Sequence, residues 1–282
     1  MLDEQEIRNI KHEIRNKFQI TISNVQNGFE FRSFENLDLF RVSNLSINWR
    51  PMDLLIDSFL SAIALVISLD REMVDIVTVS LKVSGYSTLF ASLLGIPIGF
   101  LVAFESFRGK RFMITCLNTL LAVPTVVIGL FVYAFISRRG VLGFFDLLYT
   151  QKAIIIGQTL LIIPVVTALT IAAISRIDRR YRKTAMTLGA NRMQTAFVIF
   201  REARYGIVAA VIAAYGRVIS EVGISMMLGG NIRGFTRTMT TAMALEYDKG
   251  AFTLAVALGI VLLGLSFGMN LLFHLFQGRV RS

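Results

Sequence analysis

Charged residues are scarce in this chain of 282 residues. They make up 17% of it, whereas an average soluble protein carries about 25%. Apolar residues account for 54%, and the mean hydropathy is +0.63. This balance excludes a disordered chain and predicts a membrane protein of the all-α class.

Cysteine and histidine are rare in this chain, and the common nucleotide-binding motif is absent from it. The single cysteine, Cys116, cannot form a disulfide framework or a cysteine metal site. Two histidines, His12 and His274, are too few for a histidine-centred metal site or a proton relay. The pattern Gly-x-x-x-x-Gly-Lys-Ser/Thr does not occur, because Gly109-Lys110 is followed by arginine. We therefore expect no metal, no cofactor and no catalytic residue in this chain.

Five apolar runs are long enough to cross a bilayer, whose core of about 30 Å needs roughly 20 helical residues. One of them, residues 205–228, is interrupted by Arg217 and Glu221. The other four contain no charged residue and are residues 83–104, 112–137, 153–175 and 251–277. The runs predict five transmembrane helices, three of which contain a proline that we expect to bend them.

Basic residues are distributed unevenly over the connections between these runs. Residues 105–111, residues 176–204 and the tail after residue 277 hold thirteen Lys and Arg, and the alternate connections hold six. Basic connections tend to stay in the cytoplasm. We therefore expect the protein to lie in the cell (inner) membrane, with the loop 176–204 and the C-terminus on the cytoplasmic side. The net charge of +10 then indicates orientation in the lipid bilayer, and no nucleic acid is expected as a partner.

Residues 54–69 form a shorter apolar run, which Asp57 interrupts. Its length and its polar stripe favour a helix lying in the membrane interface, and a short sixth span is the alternative. We assign residues 52–80 to this helix and a connector. Residues 81–277 form the predicted membrane domain, which contains the loop 176–204.

The loop 176–204 is long for a membrane protein and has an ordered pattern, which usually indicates a function. Apolar residues recur at helical spacing on both sides of Gly189-Ala190-Asn191. The pattern predicts two short helices joined at the glycine, with an apolar face outside the membrane. Such a face needs a partner surface to cover it; the alternative is a surface helix packed on its own bundle.

The same loop resembles the cytoplasmic signature of ABC importer permeases: Glu-Ala-Ala, three residues, Gly, nine residues, then Ile-x-Leu-Pro. The matching residues are Ala185, Leu188, Gly189 and Ile199. The residues that depart from the signature are Lys183, Thr184, Arg201 and Glu202. Three further blocks resemble the tungstate branch of the molybdate, tungstate and sulfate permeases: residues 201–204, 216–223 and 229–234.

This resemblance implies the ABC type-1 permease fold and a subunit of an ATP-driven oxyanion importer. Tungstate is the expected substrate, with molybdate or sulfate as alternatives. The implied partners are a second copy of the chain, two ATP-binding subunits that hold ATP and Mg, and an extracytoplasmic substrate-binding protein. The loop residues assigned to coupling with the ATPase are Ala185, Leu188, Gly189, Ala190, Asn191 and Ile199.

An alternative from a different class is a secondary transporter or channel that works without ATP. A secondary transporter should show internal repeats and proton-carrying acids in several spans. The sequence offers one acid within a span, Glu221, and no convincing repeat.

Arg217 and Glu221 are four residues apart and are predicted to pair on one helix face. A charge at the bilayer centre costs about 2.5 to 3.5 kcal/mol on insertion scales, so the pair should face the bundle interior or a wet cavity. It is either a structural clamp between helices or part of the translocation path.

The connection 229–250 is rich in hydroxyls and also carries arginines, which are donors that suit a tetrahedral oxyanion. The candidate residues are Asn231, Arg233, Thr236, Arg237 and Thr238. Three interpretations stay open for these residues: they contact the oxyanion, they contact a binding protein, or they form a solvated turn.

The first 51 residues carry seven basic and seven acidic residues and lack the apolar core of a signal peptide. We interpret them as a polar N-terminal extension, with Met52 as an alternative start, and predict that the extension is dispensable. A chain beginning at Met52 should reach the membrane and transport like the full chain. Membrane-fraction yield and vesicle uptake measure this, and loss of insertion would show that the extension is structural.

Overall fold

The computed structural model describes residues 51–68 and 70–278, and this part of the chain contains helices and turns but no strand. The helices are α1 (Pro51–Ser68), α2 (Arg71–Phe104), α3 (Lys110–Leu121), α4 (Thr125–Ile136), α5 (Gln151–Ser175), α6 (Arg179–Thr187), α7 (Arg192–Ile219), α8 (Gly223–Gly229), α9 (Met239–Asp248) and α10 (Phe252–Gly278). A short 3₁₀ turn, Gly143–Phe145, lies between α4 and α5. The predicted all-α class is confirmed, whereas the predictions for residues 1–50 lie outside the described residues.

The described helices supply three to five candidate membrane spans. Helices α2, α5 and α10 are each long and apolar enough to cross a membrane. Two further spans arise when bent pairs are counted as one: α3 with α4, bent by 94°, and α7 with α8, bent by 60°. Each of these five units overlaps one of the five predicted apolar runs.

The bend between α3 and α4 interrupts the predicted run 112–137 at a proline. Pro124 has no N–H to donate, and its ring disfavours helical geometry at Val123. Helix α3 therefore ends at Leu121, and α4 begins immediately after Pro124. By contrast, Pro97 and Pro164 stay inside continuous helices.

Helix α2 is longer than the sequence pattern predicted, because it begins at Arg71. The carboxylate of Asp70 caps it by accepting hydrogen bonds from the backbone N–H groups of Glu72 (3.0 Å) and Met73 (3.3 Å). The predicted connector up to residue 80 is therefore partly wrong. The first turns of α2 contain charged residues, so they do not belong to an uncharged apolar run and were not predicted as part of the span.

Helix α1 packs against α10. Ala62 is fully buried in a cluster with Met73, Ala257 and Leu258. The apolar part of α1 with described side chains, Phe59–Ser68, is shorter than a span. Helix α1 thus adds to the packed bundle, and the choice between an interfacial helix and a short span stays a prediction.

Helix α2 packs along α5 more extensively than any other pair of helices in the described residues. Two glycines four residues apart on α2 let the backbones approach. A Cβ atom on Gly99 would lie 2.7 Å from the carbonyl oxygen of Thr167, and one on Gly95 would lie 3.0 Å from Cβ of Val166. The contact fixes the position of α2 relative to α5.

This contact predicts that Gly99→Val destabilises the bundle, whereas Gly85→Val on the same helix is tolerated. A side chain at Gly99 meets backbone, while nothing lies within 4 Å of a Cβ atom at Gly85. Overpacking of this kind costs about 1 to 3 kcal/mol. The midpoint of thermal unfolding in detergent compares the two variants, and equal midpoints would contradict the proposed close approach.

Candidate functional site

The loop between α5 and α7 contains one short helix, α6, rather than the two predicted. The second predicted helix is the first part of α7, which continues without a break to Ile219. Charged residues at positions 201, 202 and 204 gave this stretch the hydropathy of a loop. They are compatible with a helix, so a single long helix leads from the loop into the apolar region.

The turn between α6 and α7 is built from the predicted signature residues. Gly189 has φ of +82°, a left-handed conformation that favours glycine. The N–H of Gly189 donates to the carbonyl of Met186 (3.1 Å), and the N–H of Ala190 donates to that of Ala185 (3.0 Å). These two bonds form a Schellman motif, which ends α6 at a defined angle.

Asn191 then starts α7 with a reciprocal pair of hydrogen bonds. Its side-chain oxygen accepts from the N–H of Gln194 at 2.8 Å, while the Gln194 side chain accepts from the N–H of Asn191 at 2.9 Å. This arrangement is a capping box. The turn is thus fixed on both sides by local bonds and does not depend on a partner for its shape.

The apolar side chains around this turn divide into two sets. Ala185 and Ile199 are buried, the latter beside Phe104 and Ile174. Four large side chains are exposed instead: Leu188 (81%), Met193 (78%), Phe197 (66%) and Met186 (60%). We call these four residues the docking face. Of the predicted coupling residues, Leu188 belongs to this face, whereas Ala185 and Ile199 support it from inside.

Tyr181 on α6 lies near the carboxylate of Glu202 on α7. The pKa of Tyr181 is raised above its ordinary value of 10.0. The main cause is repulsion by the carboxylate of Glu202, and the second is hydrogen bonding to the same carboxylate. The shift favours the neutral hydroxyl, which is the form that can donate to a carboxylate.

The predicted ion pair in the apolar region is present, but its two residues are not on one helix. Helix α7 ends at Ile219, and Glu221 lies in the break before α8. Nη1 of Arg217 is 3.4 Å from Oε2 of Glu221. The Glu221 side chain is 4% exposed, whereas that of Arg217 is 48% exposed.

Glu221 also holds the break itself together. Its Oε1 accepts a hydrogen bond from the N–H of Ile224 (3.4 Å), one of the free donors at the start of α8. Its backbone carbonyl accepts from the hydroxyls of Ser225 (3.2 Å) and Thr240 (2.9 Å). The break thus connects α7, α8 and α9 through one residue.

A line of buried polar side chains that the sequence analysis missed leads from α2 to this break. The Ser87 hydroxyl lies 3.0 Å from Oε1 of Gln158, and Nε2 of Gln158 donates to Ser225 Oγ at 3.2 Å. Exposure is 0% for Ser87, 1% for Gln158 and 0% for Ser225. We call these three residues and Glu221 the polar line. The sequence signal for these residues is the presence of uncharged polar side chains inside apolar runs. The sequence analysis considered only the charged residues in those runs.

Arg217 keeps part of its side chain exposed within the apolar part of the bundle. The guanidinium of Arg217 is half-exposed, and the adjacent carboxylate offsets its charge.

Two of the predicted oxyanion contacts have structural roles instead. Thr236 is fully buried; its hydroxyl donates to the carbonyl of Gly229 (2.6 Å) and accepts from the N–H of Ile232 (3.0 Å). Thr238 is 4% exposed and caps α9 in a capping box with Thr241. Both hydroxyls are thus committed within the chain.

The other three candidates face a carboxylate or a backbone group. Arg233 and Arg237 both pair with Glu72 near the start of α2, the second at 3.5 Å. Nδ2 of Asn231 donates to the carbonyl of Thr241 at 3.3 Å. The structure therefore brings the two arginines together at Glu72, a residue that the sequence analysis did not single out. Within the described residues, no group of three or more His, Cys, Asp or Glu side chains is placed to hold a metal ion.

Residues 95–282 match the family described as binding-protein-dependent transport system inner membrane component. A probable anion ABC transporter permease protein of Haloferax volcanii is 42% identical over 212 residues, covering 73% of this chain and 91% of that protein. The tungstate uptake system permease protein TupB of Peptoclostridium acidaminophilum is 38% identical over 226 residues, covering 80% and 99%. The molybdenum transport system permease protein ModB of Escherichia coli (strain K12) is 29% identical over 175 residues, covering 59% and 76%.

The fold also resembles a solved structure. A bacterial ABC transporter involved in the import of the acidic polysaccharide alginate matches with a TM-score of 0.65 at 16% identity, covering 99% of this chain and 100% of that chain. At this identity the match supports the type-1 permease fold alone.

The unequal exposure of the ion pair predicts unequal effects of removing its members. Arg217→Met leaves a buried carboxylate without its cation, which typically costs about 3 to 5 kcal/mol. Glu221→Gln should cost less, because Arg217 keeps access to water. The double change should recover much of the loss from Arg217→Met. Yield and thermal unfolding midpoint of the purified proteins measure this, and a wild-type midpoint for Arg217→Met would show that Glu221 is not held away from water.

Proposed function

The chain belongs to the family of binding-protein-dependent transport system inner membrane components, and on that basis we propose that it is the permease subunit of an ATP-driven importer of tungstate. The observation that carries the proposal is the docking face, which a rigid turn presents outside the apolar spans. A permease without a nucleotide motif needs a separate ATPase, and this face offers it a contact surface.

Tungstate is favoured over molybdate by the relatives. The tungstate permease of Peptoclostridium acidaminophilum is 38% identical, whereas the molybdenum permease of Escherichia coli is 29% identical over a shorter stretch. The blocks 201–204, 216–223 and 229–234 that resemble the tungstate branch include Arg217, Glu221 and Arg233. Both oxyanions carry two negative charges, so selection between them belongs mainly to the binding protein that delivers the substrate.

The assembly follows from the same family. Two copies of the chain would form the membrane part and bind two ATPase subunits, which hold ATP and Mg, while a binding protein delivers substrate at the opposite side. The excess of Lys and Arg in residues 105–111 and 176–204 supports a cytoplasmic docking face and C-terminus.

Arg217 and Glu221 would then line the translocation path. The half-exposed guanidinium attracts the oxyanion, and Glu221 limits how tightly it binds. Arg233 and Arg237 would contact the oxyanion or the binding protein at the outer end, where Glu72 neutralises part of their charge.

The turn at Gly189 gives a test of the proposed coupling. Gly189→Val should lower ATP-dependent uptake at least about tenfold, because a β-branched residue does not tolerate positive φ. Gly189→Asn is the matched control and should retain most of the activity, since asparagine adopts this conformation more readily. Uptake into vesicles and copurification of the ATPase are measured together. Normal copurification and uptake in the valine variant would refute the coupling role of the turn.

The docking face gives a second, independent test. Leu188→Glu places a charge on the most exposed residue of the face and should abolish ATPase copurification without lowering the amount of folded permease. Val141→Glu, in the connection between α4 and α5 at 77% exposure, lies outside the spans and away from the turn and should leave copurification of the folded protein intact. Retention of the ATPase by Leu188→Glu would contradict the assignment of the docking face.

A further inference from the structure

Two arginines on opposite sides of the α6–α7 turn reach the same end of α2. Arg182 on α6 donates through Nη1 to the carbonyl of Phe104 at 3.4 Å, and its guanidinium carbon lies 4.8 Å from the centre of the Phe104 ring. Arg192, the first residue of α7, forms an ion pair with Glu105. Phe104 and Glu105 are the last residue of α2 and its C-cap.

The position of Glu105 is unfavourable for α2 itself. The C-terminus of a helix carries partial negative charge and disfavours a carboxylate. Lys110 supplies the favourable contact instead, because its Nζ donates to the carbonyls of Ala103 (2.9 Å) and Glu105 (3.1 Å). The stability of α2 therefore does not explain the carboxylate of Glu105, whereas the ion pair with Arg192 does.

The space between α6 and the end of α2 is open rather than closely packed. A cavity of about 470 Å³ lies there, lined by Phe104, Glu105, Lys110, Arg182 and Lys183 among other residues. Close packing transmits displacement between helices, and a cavity does not. The end of α2 packs on α7 through Phe104 and Ile199, and the two arginines add the polar contacts between the turn and α2.

We propose that Arg182 and Arg192 are positioning residues that transmit movement of the docking face to α2 through Phe104 and Glu105. This inference rests on the proposed function, because it assumes that an ATPase moves the turn. From its C-terminal end, α2 continues past Gly99 to Ser87, so a shift at Glu105 enters the helix that carries the first member of the polar line.

A charge reversal tests the link in the complex of the full chain with its ATPase in liposomes. Glu105→Arg and Arg192→Glu each place like charges in contact and should lower the oxyanion transported per ATP hydrolysed about three- to tenfold, with ATPase copurification unchanged. The double variant Glu105→Arg with Arg192→Glu should restore the ratio to within about twofold. A role confined to folding would change yield and would leave this ratio unaltered.

A second comparison uses two arginines on α6. Arg182→Gln should lower the same ratio, whereas Arg180→Gln should not, because Arg180 contacts Asp178 at the start of its own helix. Both changes remove one positive charge from α6.

Unchanged ratios in the single reversals, or a double variant that stays as low as the singles, would overturn the inference. A wild-type protein that neither retains an ATPase nor imports an oxyanion with ATP would instead refute the proposed function, which separates the two failures.

Discussion

A polar group removed from water needs hydrogen-bond or ion-pair partners inside the protein, and the buried residue Glu221 meets this requirement with several of them. Its carboxylate is almost fully buried, and its side-chain and carbonyl oxygens have partners on α7, α8 and α9. An unpaired charge in such surroundings would cost several kcal/mol. The end of α7, the start of α8, the placement of α9 and the orientation of Arg217 all follow from meeting that requirement at one residue.

The sequence was informative where the physics is local. Hydropathy predicted the five spans because burial in a bilayer requires long apolar runs, and the glycine at 189 predicted the docking turn because a left-handed residue is needed there. It failed where helices continue through charged segments. Residues 71–80 are helical although their charges gave them the pattern of a connector, and the second predicted loop helix continues through the charged residues 201–204 into the next span.

The polar line could not have been found in the same way. Ser87 and Gln158 are 71 positions apart, and Gln158 and Ser225 are 67 apart. Each looks like an isolated polar residue in an apolar run until the helices are packed together. The oxyanion candidates show the converse: Thr236 and Thr238 have suitable chemistry, but their hydroxyls form the turn and the cap that begin α9. Side-chain type predicts what a residue is able to do, whereas packing decides what it does.

The length of helix α2 determines how far its two ends move when the helix tilts. With 34 residues it extends about 51 Å at 1.5 Å per residue, well beyond a bilayer core of about 30 Å. A rotation of about 5° around its midpoint would displace each end by roughly 2 Å in opposite directions, given that length. The close contact with α5 at Gly95 and Gly99 lies between the middle and one end. A tilt of α2 that moves Glu105 therefore also moves Glu72, with which two arginines are paired.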